Sequence, residues 1–302
     1  MEQAYHIPVL AGELIEALQI KPGGVYVDCT FGGGGHSRAI LTQLSNAGRL
    51  VVFDQDQDAR LNVPDDPRIL FIPHNFRHIQ KFLRLHQIDK VDGIIADLGV
   101  SSHQFNEADR GFSTRFDASL LDMRMDQRQE LNAAVILNTY TEQQLHKLFE
   151  KYGEVTNAKT LAKIIVQHRQ LGTISTVNDF KNAVSSVVKG NPNKYFAQVF
   201  QALRITVNDE LGALQEMLRQ LPSLLKQHGR VAIITFHSIE DRMVKVFFRN
   251  GSFEETVPDS LYGTTPESPF LIITKKPILP SRTETTENPR SRSAKLRVAE
   301  RK

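Results

Sequence analysis

Residues 25–37 read Val-Tyr-Val-Asp-Cys-Thr-Phe-Gly-Gly-Gly-Gly-His-Ser, an apolar stretch that reaches Asp28 and then runs into four glycines. A helical pattern begins at Ser37, so the segment predicts a strand, a glycine turn and the start of a helix. Open α/β sheets bind nucleotide-like cofactors at such a turn, because glycine lets the backbone approach the ligand closely. A turn that serves only the close packing of strand and helix is the alternative.

A second acid follows at the expected distance. Asp54 ends the next apolar stretch, 19 residues after the last glycine of the loop, where a carboxylate can accept hydrogen bonds from both hydroxyls of a ribose. The glycines are consecutive, and the position of the third glycine in a dinucleotide fingerprint holds Ser37 or Arg38. Asp28 would repel a pyrophosphate and suits a cationic group, such as an amino-acid ammonium. These features favour S-adenosylmethionine over a nicotinamide dinucleotide.

Length and composition describe a folded protein with an ample core. The 302 residues are 40% hydrophobic and 24% charged, which suits one large domain or two ordinary ones. Apolar runs such as Val231–Phe236 are far shorter than a membrane span, and the N-terminus lacks a secretory signal pattern. A single cysteine, Cys29, excludes a disulfide framework and a cysteine metal cluster. We therefore expect a cytoplasmic protein with no membrane segment and no bound metal.

The charge is unevenly distributed along the chain. The formal net charge is +3, but residues 275–302 alone hold nine Lys or Arg against three Glu. Such a basic segment is compatible with a phosphate-rich partner. A solvated surface tail explains the charge equally well.

The first hundred residues alternate between strand and helix patterns, which predicts an α/β fold. Continuous apolar strands separated by helices indicate a parallel sheet that is covered on both faces. The predicted strands are Val25–Cys29, Leu50–Asp54, Ile69–Pro73 and Val91–Leu98, accompanied by helices at 9–18, 37–44 and 77–86.

The alternation then stops, and four helical patterns run in succession. Thr141 and Gln144 form a capping-box pattern before the first, and the others lie at 158–171, around Phe180–Val187 and from about Tyr195. An all-helical block inside an alternating chain predicts an inserted domain, here residues 108–205 within a sheet domain of residues 1–107 and 206–302.

After the insert the alternation resumes. We expect a helix to about Gln227, a strand over Gly229–Phe236 and a helix capped by Ser238. The last two strands, Phe270–Lys275 and Ala294–Ala299, are predicted to pair at an antiparallel edge of the sheet.

Chemistry-bearing residues follow the strands at their carboxyl ends, where open α/β sheets bind ligands. Phe76 follows the third strand and suits the face of an adenine, although ordinary core is the more common role of a lone aromatic residue. Asp97 ends the fourth strand, and His237 and Asp241 follow the fifth. His74 and His78 have the i, i+4 spacing of metal ligands, but no third ligand is near in sequence, so we expect no metal there.

The chain resembles the RsmH (MraW) family of bacterial ribosomal RNA methyltransferases over essentially its whole length. The resemblance rests on ordered motifs: His6-Ile-Pro-Val-Leu, the Asp28 loop, Asp97-Leu-Gly-Val-Ser-Ser, Arg110-Gly-Phe-Ser, Leu121-Asp-Met-Arg-Met-Asp, Phe200-Gln-Ala-Leu-Arg-Ile, the Phe236-His-Ser block and Asn288-Pro-Arg-Ser-Arg-Ser-Ala-Lys-Leu-Arg. Many amino-methyltransferases carry Asp/Asn-Pro-Pro-aromatic after the fourth strand, whereas this chain has Asp97-Leu-Gly-Val.

The resemblance implies methylation of the N4 amine of a cytidine in 16S rRNA, near the decoding centre of the small ribosomal subunit. It implies a Rossmann-like, S-adenosylmethionine-dependent methyltransferase sheet with an inserted all-helical domain for substrate recognition. The family's cofactor positions map onto Gly34, Gly35, His36, Asp54, Phe76, Asp97 and Gln104.

Two further assignments complete the predicted site. Asp97 is the first candidate to hold the target amine, with cofactor contact alone as the alternative, and His237 and Asp241 are the next candidates. The insert and a basic cluster are expected to contact the phosphates of 16S rRNA in the small ribosomal subunit. That cluster consists of Arg290, Arg292, Lys295 and Arg297.

Three rival functions stay open at the level of the sequence. The first is a methyltransferase that acts on a protein or a small molecule, and the second is a non-catalytic RNA-binding or assembly protein that kept the fold. The third is a nicotinamide oxidoreductase, which the spacing of the glycines disfavours.

Overall fold

The structure is a computed structural model that describes residues 8–253 and 267–302; His6 and Ile7 of the first motif lie outside the described residues. The chain divides into two compact units. One consists of residues 1–99 and 212–302 and the other of residues 100–211. The predicted insert at 108–205 falls within the second unit, and its identity as a substrate-recognition domain stays a prediction.

The first unit is built on a seven-stranded sheet, counted over the residues that the structure describes. Its strands are β1 (Val25–Asp28), β2 (Arg49–Phe53), β3 (Ile69–Ile72), β4 (Val91–Asp97), β5 (Leu225–Thr235), β6 (Phe270–Ile272) and β7 (Lys295–Arg301). Their order is β3-β2-β1-β4-β5-β7-β6. The first five strands of this order are parallel, and β7 runs antiparallel to both β5 and β6. The predicted Rossmann-like sheet with an antiparallel edge is confirmed.

Five helices accompany these strands within the described residues of the first unit, and a sixth links the two units. They are α1 (Ala11–Leu18), α2 (Gly35–Gln43), α3 (Ile79–Leu85), α10 (Glu210–Leu224), α11 (Ser238–Asn250) and α12 (Arg282–Glu287), with α10 starting in the second unit. No helix that the structure describes is both long enough and apolar enough to cross a membrane.

Successive residues of each strand pack on opposite faces of the sheet, which gives two hydrophobic cores. On one face Val27, Val51 and Ile94 pack with α3, α10 and α11, whereas on the other Leu50 and Ile95 pack with α1 and α2. This two-sided burial explains why the strands read as continuous apolar runs. Cys29, the residue after β1, is buried.

The second unit is helical in its regular structure. Its helices are α4 (Ser102–Asn106), α5 (Ala133–Thr139), α6 (Glu142–Gly153), α7 (Ala158–His168), α8 (Val177–Val184) and α9 (Pro192–Asn208). The predicted capping box of Thr141 and Gln144 is present at the start of α6. Val187, predicted to continue α8, lies instead in a short 3-10 turn after it.

Two predictions near β5 were wrong. The helix predicted to reach Gln227 ends at Leu224, and β5 begins at Leu225 with a bulge opposite β4. His237, rather than Ser238, caps α11: its backbone is extended (φ −136°) and its ring accepts from the N–H of Glu240. Ser238 is therefore the first residue of the helix, because a cap has non-helical dihedrals.

Gly111 holds a turn in the second unit that no other residue fits. Its φ is +68°, and a Cβ placed there would overlap the carbonyl oxygen of Leu120 and lie 2.8 Å from the amide nitrogen of Asp122. Gly190 has the same φ, but a Cβ there would meet nothing within 4 Å. A comparison of substitutions at Gly111 and Gly190 therefore separates the cost of backbone strain from the cost of steric overlap.

We expect Gly190→Ala to lower the free energy of unfolding by about 1 kcal/mol, the cost of a left-handed conformation. Gly111→Ala should lower it by about 3 kcal/mol or more, because the new methyl group overlaps backbone that cannot move away. Urea unfolding followed by circular dichroism measures both, with Gly172→Ala as a control at an open position of ordinary φ. Equal losses at positions 111 and 190 would show that the overlap is relieved without cost.

Candidate functional site

The loops at the carboxyl edge of the sheet converge where the strand order reverses. The chain runs outward from β1 to β3 and then crosses to β4, which pairs with the other side of β1. The turns after β1 and β4 therefore diverge and leave a crevice, which is where open α/β sheets bind ligands. Asp28 and Asp97 end these two strands.

Asp28 is buried beneath this crevice. It is only 1% exposed, and its carboxylate accepts from the Ser37 hydroxyl (2.6 Å) and the Thr30 N–H (3.0 Å). Burial raises the pKa of Asp28, although these two donors oppose the effect. The expectation that Asp28 meets a cationic ligand directly was wrong, because its side chain offers no surface for contact. Instead it fastens the end of β1 to the first turn of α2.

Asp54 holds the glycine loop from the site side. One carboxylate oxygen accepts from the N–H of Gly32 at 2.7 Å, and the other from the N–H of Asp56 at 2.8 Å. Burial, with smaller effects from the charges of Asp56 and Asp28, raises the pKa of Asp54 to about 7, despite these two hydrogen bonds. Each carboxylate oxygen has a second lone pair, so Asp54 can accept two more hydrogen bonds from a diol.

Two side chains hold the same loop from outside. The guanidinium of Arg38 donates to the carbonyl of Gly33 at 2.6 Å, and the amide of Asn62 donates to the carbonyl of Gly32 at 3.0 Å. Arg38 also donates to the carbonyl of Asn62 at 3.1 Å, which joins the two clamps. The loop is thus held on both sides, by Asp54 through an N–H group and by Arg38 and Asn62 through carbonyl groups.

The glycines differ in what they require. Gly34 has a φ of +74°, and a Cβ there would lie 2.8 Å from the ring of Phe31. A Cβ on Gly35 would lie 3.0 Å from Pro8, whereas one on Gly33 would meet nothing within 4 Å. Open space at Gly33 is consistent with a loop that leaves room for a ligand.

Asp97 and His36 face each other across the crevice. Nε2 of His36 donates to the carbonyl of Val9 at 2.9 Å, which leaves Nδ1 of the ring 3.8 Å from a carboxylate oxygen of Asp97. The other carboxylate oxygen, Oδ1, is buried and has no hydrogen-bond partner among the residues described. Burial, with the charges of Asp28 and Glu240, raises the pKa of Asp97 to about 6 although His36 opposes them.

The turn after β3 is tied to the turn after β2. The side-chain amide of Asn75 donates to Gln55, which follows Asp54, at 2.8 Å, and its oxygen caps the 3-10 turn that begins at Phe76. Phe76 is half-buried against the core of the sheet. The structure therefore fixes Phe76 beside the segment that carries Asp54.

Gln104 belongs to the helical unit. It is buried, and its side chain completes a capping box with Ser101 at the start of α4. Its predicted contact with the cofactor stays a prediction.

His237 and Glu240 form a buried pair after β5. The N–H of Glu240 donates to Nδ1 of His237 at 3.4 Å, so the ring proton lies on Nε2. Nε2 is 3.0 Å from Oε1 of Glu240 but without the alignment of a hydrogen bond. Glu240 also accepts from the N–H of Phe236 at 3.0 Å. Both ring nitrogens thus face α11, and these contacts give His237 a capping role. The sequence places Glu240 among the acids after β5 but predicts no role for it.

Asp241 is engaged by the last strand. Arg297 donates to its carboxylate at 2.6 and 3.2 Å, and Lys295 lies 3.5 Å away. Burial raises the pKa of Asp241, but the hydrogen bonds and charges of Arg297 and Lys295 outweigh it, so the pKa is lowered. Arg297 is 6% exposed, which corrects its predicted role as a phosphate contact: a buried, paired guanidinium holds β7 to α11. Arg290 and Arg292 are exposed and keep that prediction.

The residues at the crevice fit a cofactor that carries a diol and a cationic end. Asp54 presents unused lone pairs for the hydroxyls, and Gly33 leaves open space beside the loop. The orphaned buried oxygen of Asp97 suits a cationic or N–H group, because a buried carboxylate oxygen without a partner is costly.

The chain is similar along its whole length to proteins of one family. A sequence model of the MraW methylase family matches residues 3–302. The Ribosomal RNA small subunit methyltransferase H of Porphyromonas gingivalis is 52% identical over 304 residues, covering 99% of this chain and 97% of that protein. The protein of the same name from Bacteroides fragilis is 48% identical over 302 residues, covering 100% and 99%. Among solved structures, a putative rRNA methylase from Clostridium thermocellum aligns over 98% of this chain and 100% of its own, at 11% identity and a TM-score of 0.45, too slight a likeness to support inference.

The raised pKa of Asp54 has a consequence for stability. A carboxyl whose pKa rises on folding from 3.8 to about 7 holds its proton in the folded state over a pH range where the unfolded chain has lost it. The folded state then binds more protons, so the free energy of unfolding falls as the pH rises from about 4 to 7.

In the absence of cofactor, we therefore expect the free energy of unfolding of Asp54→Asn to fall less than that of the wild type as the pH rises from about 5 to 8. Urea unfolding at the two pH values measures the loss. The exposed Asp89 provides the control, and Asp89→Asn should keep the wild-type pH dependence. A wild-type pH dependence in Asp54→Asn would contradict the proposed burial of its charge.

Proposed function

The chain belongs to the MraW methylase family, and we propose that it transfers a methyl group from S-adenosylmethionine to the N4 amine of a cytidine in 16S rRNA. The site of methylation lies near the decoding centre of the small ribosomal subunit, and the protein acts in the cytoplasm. The observation that carries this proposal is identity of about 50% along the full chain to proteins named as small-subunit rRNA methyltransferases.

The crevice supports the assignment of the cofactor. When bound, S-adenosylmethionine supplies an electrophilic methyl group on a positively charged sulfur. Asp54 is placed to accept from the ribose hydroxyls, and Phe76 offers a half-buried ring beside it for the adenine. Asp97 offers its orphaned oxygen to a positively charged or N–H group, and the clamped glycine loop gives the ligand a rigid wall.

Methyl transfer to the cytosine amine depends more on the orientation of the amine than on a strong base. The lone pair of the cytosine amine is delocalised into the ring, and its proton becomes acidic only as the new N–C bond forms. The residues must therefore hold the amine in line with the methyl group and receive one proton. Three side chains are predicted for this role: Asp97, His237 and Asp241. Of the two acids, Asp97 is the one whose carboxylate has a buried oxygen without a hydrogen-bond partner among the described residues.

Asp241 and His237 are less suitable for the amine. Asp241 is held by Arg297 and Lys295, and His237 directs both ring nitrogens at α11. The pKa of Asp97, raised to about 6, leaves its carboxyl mostly ionised at neutral pH and able to accept a hydrogen bond.

The proposed function is tested with purified protein, tritiated S-adenosylmethionine and small ribosomal subunits from a strain that lacks the gene. We expect the label in 16S rRNA, and mass mapping should place it on the N4 atom of one cytidine. Label in ribosomal protein would support the protein-methyltransferase alternative, and RNA binding without transfer would support an assembly protein. Either result would overturn the proposal.

Asp97→Asn separates amine orientation from cofactor binding. The substitution keeps the shape and one acceptor, so cofactor affinity, measured by calorimetry, should fall less than about 10-fold. The single-turnover rate should fall by a further 10- to 100-fold or more, the scale of lost positioning or proton transfer. His237→Gln serves as the comparison and should leave the rate closer to wild type. If rate and affinity fall equally in Asp97→Asn, Asp97 contacts the cofactor alone.

A further inference from the structure

A second feature of the first unit stands apart from the crevice residues that bind the cofactor. Residues 74–88, from the turn after β3 through α3, hold three Lys or Arg and three His without one Asp or Glu. In this segment Ile79 and Leu83 are fully buried against the sheet. The cationic side chains Lys81 and Arg84 are therefore on the outer face and are exposed.

These side chains line a groove with a volume of about 450 Å³. Arg77, His78, Lys81 and Arg84 border it on one side, and Gln220 of α10 borders it on the other. Gln220 accepts from the N–H of Gln80 at 3.0 Å and donates to the carbonyl of Arg77 at 2.7 Å. These bonds fix α10 against the start of α3, so the groove is built into the fold rather than formed by mobile side chains.

The positive charge of the groove is largely uncompensated. Glu216 is an acid beside the groove, and its carboxylate lies 3.5 Å from Nε of Arg77. Over residues 8–253 and 267–302, Lys81 and Arg84 make no ion pair and no side-chain hydrogen bond. An exposed pair of cations without an internal partner attracts phosphates through the release of counterions.

We propose that this groove, formed by α3 and Gln220, binds the phosphate backbone of the rRNA substrate. The proposal rests on the proposed function, because that function supplies a polyanionic partner. The groove begins one residue after Phe76, and the segment that carries Phe76 is tied to Asp54 through Asn75 and Gln55. RNA held in the groove is thus anchored on the element that borders the cofactor crevice.

The test compares two double variants of the full chain. Lys81→Gln with Arg84→Gln removes the two unpaired cations of the groove. Arg49→Gln with Lys90→Gln removes the same charge from exposed residues that do not line the groove, where β2 and β4 begin. Fluorescence anisotropy measures the affinity for a single-stranded fragment of 16S rRNA over a series of KCl concentrations.

We expect the groove variant to flatten the slope of log affinity against log salt by about 1.4, or about 0.7 for each lost phosphate contact. Its affinity at 0.1 M KCl should fall on the order of 10-fold, while the control variant keeps the wild-type slope. Cofactor affinity and thermal unfolding should be unchanged in both variants. Equal slopes in the groove variant, the control and the wild type would overturn the proposal.

Two further outcomes distinguish the sources of failure. Normal methyl transfer to 16S rRNA with an unchanged salt slope would reject the groove and keep the proposed function. Salt-dependent RNA binding through the groove without methyl transfer would reject the function and keep the groove. If anionic phosphatidylglycerol vesicles, but not RNA, bind in a way that depends on Lys81 and Arg84, the groove is a membrane-surface site and the proposal is wrong.

Discussion

Three carboxylates at one edge of a sheet set the electrostatics of this protein. Asp28, Asp54 and Asp97 stand at or just beyond the ends of neighbouring strands. Burial, with a smaller effect from the charge of Asp28, raises the pKa of Asp54 and of Asp97. Each responds differently to burial. Asp28 is satisfied by Ser37 and Thr30, Asp54 by two backbone N–H groups, and Asp97 keeps an oxygen without a partner. A site that concentrates negative charge in this way favours a ligand with a positively charged centre, as a sulfonium cofactor provides.

The same constraint shapes the glycine loop. Asp54 draws the N–H of Gly32 inward, while Arg38 and Asn62 hold the carbonyls of Gly33 and Gly32 from the other side. A loop of four glycines has more conformational freedom in the unfolded chain than any other sequence of that length, so its order must come from such contacts. The clamp makes the loop rigid before a ligand arrives, which lowers the entropy that binding must oppose.

Much of the fold follows from local patterns, whereas the roles of charged residues depend on tertiary contacts. Apolar runs between helices predicted the parallel sheet, and the spacing of Thr141 and Gln144 predicted a capping box that the structure confirms. The cap of α11 was misplaced by one residue, because the sequence shows a serine but not the extended backbone of His237. Asp28 was expected to face a ligand, and its pairing with Ser37 follows from how α2 folds back against β1. The acids stand at or just beyond the strand ends, where the sequence predicted them, but only the packing of neighbouring elements decides which of their oxygens have partners.

Charge along the sequence proved a poor guide to charge at the surface. The C-terminal segment holds nine cations, yet Arg297 is buried with Asp241, Lys302 pairs with Glu267, and Arg301 donates to the carbonyls of Pro222 and Pro269. The contacts of Arg297 and Arg301 tie the antiparallel edge of the sheet to α11 and α10. The shorter segment around α3 has fewer cations. Its buried side chains, Ile79 and Leu83, are apolar, and Lys81 and Arg84 lie on the exposed face of the helix. A helix whose outward cations, Lys81 and Arg84, make no ion pair within the described residues therefore presents more usable positive charge than a strand whose arginines are paired.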